Sequence, residues 1–398
     1  MSADMPAARQ EPLSSFPVSV LFGGSEHKSM KFIVNSKDAH TGARCGELFT
    51  LHGTVRTPVF MPVATRGAVK MLTGAELADA GVEMIISNAY HLYLRPGKDV
   101  VERAGGLHKF MGWGKSIATD SGGFQVFSLA GLRKIREEGV EFRSHIDGSR
   151  HMFTPENVVD LQISLGSDIM MPLDECVHYP ATRDYVEDSV GLTLKWLERA
   201  KKHFISREAK SALFAIVQGS TYKDLRERCS LAMAEMDMDG YALGGIGVGE
   251  PVELIHEITN FTSGLLPQNK VKYLMGVGTP PEVLEAIAGG IDMFDCVVPT
   301  RNGRNGQAFT DVGELQLKNA RFKDDTRPID EKCGCYACRN YSRGYLRHMF
   351  LSGEVLGPRM VSLHNISFYA DLIRRCRVAI EEGVFGGFKK SFLAGYAA

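Results

Sequence analysis

The chain has 398 residues, 44% of them hydrophobic and 23% charged, with a formal net charge of −1. That composition is ordinary for a globular protein of one large domain or two, and too neutral for polyanion binding over the whole surface. No apolar run approaches the roughly 20 residues of a membrane span, and the start lacks the basic head and long apolar stretch of a secretory signal, so the cytoplasm is the expected compartment.

Residues 1–29, rich in Ser, Pro and Ala, read as a mobile or loosely packed N-terminal extension. Beyond them apolar, β-branched runs recur at Pro58–Val63, Met84–Ser87, Ser116–Thr119, Asp168–Leu173, Leu213–Val217, Tyr241–Gly245, Lys272–Gly276 and Met293–Val298. Amphipathic stretches lie between them. Thr154-Pro155-Glu156 supplies an N-cap, a proline at the first helical position and an acid in the first turn, and Thr279-Pro280-Pro281-Glu282 repeats the arrangement. Asp184–His203 and Tyr222–Met236 show helical spacing. Strands buried on both faces and alternating with helices predict a parallel sheet. Eight such units predict a (β/α)8 TIM barrel with function at the C-terminal strand ends. An open doubly wound sheet is the alternative, but no G-x-G-x-x-G follows the first strand.

The eighth run ends near Pro299, and the next clear helix is Ile366–Glu382. The intervening segment is far longer than a usual βα loop. It carries Cys333, Cys335 and Cys338, with His364 further on. Thiolates so close in sequence cannot pair without strain, but they wrap a tetrahedral zinc. Three thiolates and one imidazole fill all four positions, so the predicted zinc is structural, one per chain. The reading is a zinc-binding subdomain, residues 311–364, inserted between the last strand and last helix of a barrel spanning 30–398. Residues 300–349 hold ten Lys/Arg against six Asp/Glu, a basic region on an acidic body. It reads as an anion-binding face or a plain solvated surface.

Polar residues gather where the strands end. Asp120-Ser121-Gly122-Gly123-Phe124 follows the third strand, Asp174-Glu175-Cys176 the fourth and Gln218 the fifth. Gly245 to Val248 follow the sixth, Met275-Gly276 the seventh, and Asp295 lies in the eighth. Three aspartates at one mouth need a purpose, because buried carboxylates without partners are costly. One arrangement is a magnesium site. The other is glycosyl chemistry, in which one carboxylate attacks an anomeric carbon and a second manages protons. Asp and Gln edges with bare glycine backbone suit a purine, which Phe124 and Met275 could sandwich. A zinc-dependent hydrolase would need histidines at several strand ends, and His91 alone is not enough.

The strings D-S-G-G-F-Q-V-F-S-L, D-E-C, Q-G-S, M-G-V-G and D-M-F-D-C-V-x-P-T-R-N-G-R-N-G, with C-x-C-x-x-C and a distant histidine, resemble the tRNA-guanine transglycosylases from about Lys31 to Phe392. The resemblance is to the bacterial type, which inserts 7-aminomethyl-7-deazaguanine (preQ1) into tRNA on the route to queuosine. It implies that Asp295 attacks the ribose of the wobble guanosine and forms a covalent enzyme–tRNA intermediate. Asp120 is implied as general acid/base, and Asp174, Gln218 and the Gly245 backbone as base readers beside Asp120, Ser121, Gly122, Gly123 and Phe124. Cys176 and Val248 match the bacterial residues around the 7-substituent. Gly276, Val277, Gly278, Thr279, Pro280, Pro281 and Glu282, with Thr300, Arg301, Asn302, Gly303 and Arg304, match segments that hold the anticodon loop. The resemblance further implies tRNAs with GUN anticodons as substrates, Cys333, Cys335, Cys338 and His364 as zinc ligands, and a homodimer. A noncatalytic RNA-binding subunit is disfavoured because Asp120 and Asp295 are both present.

Overall fold

The structure is a computed structural model describing residues 30–128 and 133–396. The extension expected at 1–29 therefore lies outside the described residues. Eight parallel strands close a barrel: β1 (Val59–Ala64), β2 (Met84–Asn88), β3 (Ser116–Asp120), β4 (Ile169–Met170), β5 (Ala212–Val217), β6 (Gly240–Leu243), β7 (Val271–Leu274) and β8 (Met293–Cys296). Each strand pairs with the next in sequence. Closure comes from β8 lying parallel on β1, Cys296 opposite Pro62. The sequence pattern follows from this burial, since β5, Ala-Leu-Phe-Ala-Ile-Val, is buried at all its positions. Helices Arg183–Ser206 and Lys223–Glu235 fall within a few residues of the amphipathic stretches that predict them.

Two antiparallel sheets are additions that the alternation of strand and helix did not predict. One, Arg133–Arg136, Gly139–Arg143 and Arg150–Phe153, lies between β3 and β4. The other, Lys31–Lys37, Arg44–Thr50 and Gly53–Thr57, precedes β1 and seals the floor of the barrel. Its Leu48 and Val55 pack with Met61, Met84, Phe214 and Met293 in the barrel interior. Polar ties secure the plug. The Arg44 guanidinium grips Asp292 through Nε at 2.9 Å and Nη2 at 2.6 Å, and donates to the Gln268 and Lys270 carbonyls. On the opposite side Asp168, ahead of β4, meets the His52 backbone N–H and ring as well as the His108 ring. Those rings stack 3.5 Å apart, so their nitrogens lie side by side and face one carboxylate.

Beyond β8 the chain forms helix Val298–Arg304, a hairpin (Gln307–Thr310 and Gly313–Gln316) and short helices Tyr336–Asn340 and Arg343–Leu351. The long helix then runs Leu356–Glu381, starting earlier than the Ile366 expected from sequence. Gly357 and Pro358 disguised its start, although proline is well tolerated in a first turn. His364 is consequently on the long helix itself, while the three cysteines precede it.

Removing Arg44 should strand Asp292 in the floor without its cation. Arg44→Met is expected to cost about 3–5 kcal/mol in urea unfolding, and Arg44→Met combined with Asp292→Asn should recover part of that loss.

Candidate active site

The closed barrel brings Asp120, Asp174, Gln218, Gly245 and Asp295 to one mouth, each on or just beyond a C-terminal strand end. Asp120, the last residue of β3, accepts hydrogen bonds from Asn88 Nδ2 (2.5 Å) and from the Ala89 and Gly122 N–H groups (both 3.0 Å). Burial dominates over these donors and, with the charge of Asp295 adding to it, pushes the carboxyl up to about 7. Asp295 in β8 accepts from Tyr273 OH at 2.5 Å and from Gly276 N–H at 2.9 Å. Burial raises its pKa as well, while those two donors pull it back. Two carboxylates with different donor sets therefore meet at one end of the barrel, an arrangement suited to dividing acid/base work from nucleophilic work.

Asp174 accepts from Gln218 Nε2 at 2.7 Å and faces Ser121 Oγ at 3.4 Å, and burial raises its pKa to about 6. The glycines let backbone press against this pair. Gly245 has φ +60°, and a Cβ there would stand 2.3 Å from Gln218 Oε1. At Gly122 a Cβ would collide with Tyr90 at 2.6 Å. Such close approach is open only to a residue without a Cβ. Phe124 is half exposed and Met275 half-buried. Cys176 is buried against the Gly245 backbone, and burial pushes its thiol up to about 12, so it stays neutral rather than acting as a nucleophile. Val248 donates its N–H to Glu250 Oε2 at 2.8 Å, while Glu250 Oε1 is buried with no hydrogen-bond partner among the described residues.

Three contributors escape the sequence reading, Asn88, Tyr273 and Arg226, while Glu250 is legible at the end of the sixth strand but without a role. Arg226 is fully buried and donates to the carbonyls of Val217, Ser220 and Gly245, tying the β5 and β6 loops together. A charged residue within an amphipathic helix gave no sign of facing inward. Tyr273 read as one more apolar strand position.

The segments expected to hold RNA divide. Thr279 and Glu282 satisfy each other as a helix cap, with Thr279 N–H to Glu282 Oε2 at 2.8 Å, beside Pro280 and Pro281 in the first turn. Val277, Gly278, Thr300 and Gly303 are buried, Asn302 is half-buried, and Gly276 and Arg301 are exposed. Arg304 is half-buried, and its Nη1 has no partner among the described residues. Away from the mouth, the ligand atoms of Cys333, Cys335, Cys338 and His364 lie within 4.8 Å of one another. His364 Nε2 is 2.8 Å from the Phe309 carbonyl, which assigns the proton to that nitrogen and turns the Nδ1 lone pair toward the sulfurs of Cys338 and Cys335 at 3.3 and 3.7 Å. Three sulfurs and an oriented imidazole fit a tetrahedral, thiophilic metal ion.

A model of the family described as queuine tRNA-ribosyltransferase matches residues 38–398. Proteins named queuine tRNA-ribosyltransferase are similar across nearly the whole chain. That of Caldanaerobacter subterraneus subsp. tengcongensis is 54% identical over 92% of this chain and 98% of its own length. The Thermoanaerobacter pseudethanolicus protein is 53% identical over the same shares. The Nitratidesulfovibrio vulgaris protein is 53% identical over 89% of this chain and 94% of its own length.

Because the folded pKa values of Asp120 and Asp174 lie above those of the unfolded chain, the folded state binds more protons between about pH 4 and 7. Their contribution to stability must therefore fall as pH rises through that window. Unfolding Asp120→Ala beside wild type at a series of pH values should show a shallower decline in the variant.

Proposed function

Because the chain belongs to the queuine tRNA-ribosyltransferase family of tRNA-guanine transglycosylases, which are pentosyltransferases, we propose that it exchanges the wobble guanine of GUN anticodons for preQ1 by double displacement. The observation that supports this most directly is the pair Asp120 and Asp295, two carboxylates held differently at one barrel mouth. An Asp295 oxygen attacks C1′ of the target ribose as the C1′–N9 bond breaks, and Asp120, protonated near neutrality, gives its proton to the departing guanine. The incoming deazaguanine loses a proton to Asp120, its N9 attacks C1′, and Asp295 leaves. Two inversions give net retention. One C–N bond replaces another, so the exchange needs no redox or nucleotide cofactor. Tyr273 and the Gly276 N–H keep Asp295 oriented and favour its ionised form.

Base recognition falls to Asp174, Gln218 and the Gly245 backbone, with Phe124 available to stack on the purine face. The buried thiol of Cys176 leaves space for a small 7-substituent near Val248. The carboxylate of Glu250 behind Val248, with one oxygen unpartnered, favours a cationic aminomethyl group over a neutral one. The target base must leave its stack to reach this pocket, which a single-stranded anticodon loop permits. We assign the Cys333, Cys335, Cys338 and His364 cluster to zinc in a structural role, because four protein donors leave no position for a reacting water. No helix among the described residues is long and apolar enough to cross a membrane, which accords with a cytoplasmic site of action on tRNA. The homodimer implied by the resemblance is proposed here as well. The stacked Tyr341 and Tyr345 beside exposed Tyr336 supply an aromatic face for it.

Incubation with labelled guanine and unmodified tRNA should place label in the anticodon, and preQ1 should then compete with guanine. Asp295→Asn is expected to abolish incorporation and the denaturant-resistant enzyme–tRNA complex while retaining the fold, since an amide cannot serve as the attacking carboxylate. Unaltered exchange in that variant would remove Asp295 from the mechanism. With preQ1 absent, the single-turnover rate of complex formation should fall as pH rises through about 7, where Asp120 loses its proton. Metal analysis should find one zinc per chain, with Cys335→Ser losing both the zinc and stability.

A further inference from the structure

The turn after β1, Ala64 to Gly67, is closed by the Gly67 N–H donating to the Ala64 carbonyl at 3.0 Å, and it leaves Arg66 exposed at the barrel mouth. Because β1 is the neighbour of β8, this turn adjoins the segment that follows Asp295 and carries Arg301 and Arg304. Lys70, a turn further along, is exposed too. Among the described residues none of these four cations takes part in an ion pair with a carboxylate, although most other arginines of the chain are spent on acids or backbone carbonyls. They are close enough to act on one another. Burial lowers the pKa of Lys70, and the charges of Arg304, Arg66 and Arg301 lower it further. His91 inside the mouth is likewise pushed down to about 4 by burial first and then by Arg66. Uncompensated like charges destabilise a fold, and here they persist on a chain of net charge −1.

We infer that Arg66, at the tip of the β1 turn, is an RNA-positioning residue that completes a phosphate-binding rim with Lys70, Arg301 and Arg304. The inference rests on the tRNA reading above and adds to it a second stretch of chain, remote in sequence from 300–304. The rim lies on the β8–β1 side of the mouth, whereas the base-reading groups Asp174, Gln218 and Gly245 come from the β4 to β6 side. A nucleotide whose base enters the pocket therefore has its backbone turned toward the rim. Arg66 contacts phosphate rather than a base edge, because it stands on a solvent-facing turn with no acceptor or stacking partner fixed beside it among the described residues.

The test is equilibrium binding of an unmodified substrate tRNA to the full chain across a salt series, with guanine incorporation measured in parallel. Arg66→Ala should weaken binding ~5-fold at low salt and reduce the salt slope by about 0.7, the value for one phosphate contact on a single strand. Arg66→Glu should do more, and Arg66→Lys should retain most of the affinity because a point charge serves phosphate. Affinity for free guanine and the melting temperature should not move. Should wild type incorporate guanine while Arg66→Ala and Arg66→Glu keep its slope and apparent KM, the rim is overturned and the functional reading stands. A loss of dimer mass in Arg66→Glu at unchanged RNA affinity would make the turn a protein contact and overturn the inference equally. If wild type neither binds nor modifies tRNA, both readings fall together.

Discussion

Holding three carboxylates out of bulk water at one end of a barrel is the constraint on which the rest of the molecule depends. An unpaired buried carboxylate drifts toward its neutral form, and the raised pKa values of Asp120, Asp174 and Asp295 show that pressure. What differs among them is the donor set. Asp120 is held by two backbone N–H groups and an asparagine, Asp174 by a glutamine, and Asp295 by a tyrosine and one backbone N–H. Apart from the Gly122 N–H, which lies on the turn after Asp120 itself, each donor comes from a neighbouring strand or the turn beyond it, so the site depends on the register of the barrel. A slip of one residue in β2 or β7 would carry Asn88 or Tyr273 away from its aspartate and face it elsewhere.

Groups poised in this way cost stability, and the opposite end of the barrel supplies it. The floor is occupied by apolar side chains from the N-terminal sheet and secured by two clasps, Arg44 on Asp292 and the His52–Asp168–His108 fork. Asp168 shows the contrast. Buried at the floor, it is surrounded by donors sufficient to lower its pKa despite that burial. Asp292, the other floor aspartate, lies between the two cases, since burial still raises its pKa although Arg44 pulls it back.

The parts that the sequence made legible were those with a strong period or a tight motif. The eight apolar runs, the Thr-Pro caps and the cysteine spacing each reflect a local rule, and each appears in the fold within a few residues of its expected place. What escaped depends on distant partners. The floor sheet has strands of mixed exposure that resemble ordinary loops and edges, and its purpose is visible only once Leu48 and Val55 are seen inside the barrel. Arg226 and Tyr273 act through inward contacts that no spacing encodes. Thr279 and Glu282 carried a motif that was read twice, as a cap and as part of an RNA segment, and their side chains serve the cap.

The metal cluster is remote from the carboxylates in sequence, yet it is mechanically joined to the mouth. His364 holds the Phe309 carbonyl, and the adjacent Asn365 receives the Phe309 N–H and donates to the carbonyls of Gln307 and Pro299. One turn earlier Ser362 lies so close to Gly303 that a Cβ on the glycine would stand 2.8 Å from the Ser362 Cα. The helix carrying Arg301 and Arg304 is thus packed along the helix carrying His364. A metal held at His364 would fix the turn of helix that seats this basic segment. A long insertion after β8 could otherwise leave those arginines on a free loop, where ordering them would consume binding energy. On the proposed reading, stapling the insertion to the last long helix would let the basic segment meet a charged strand already in place.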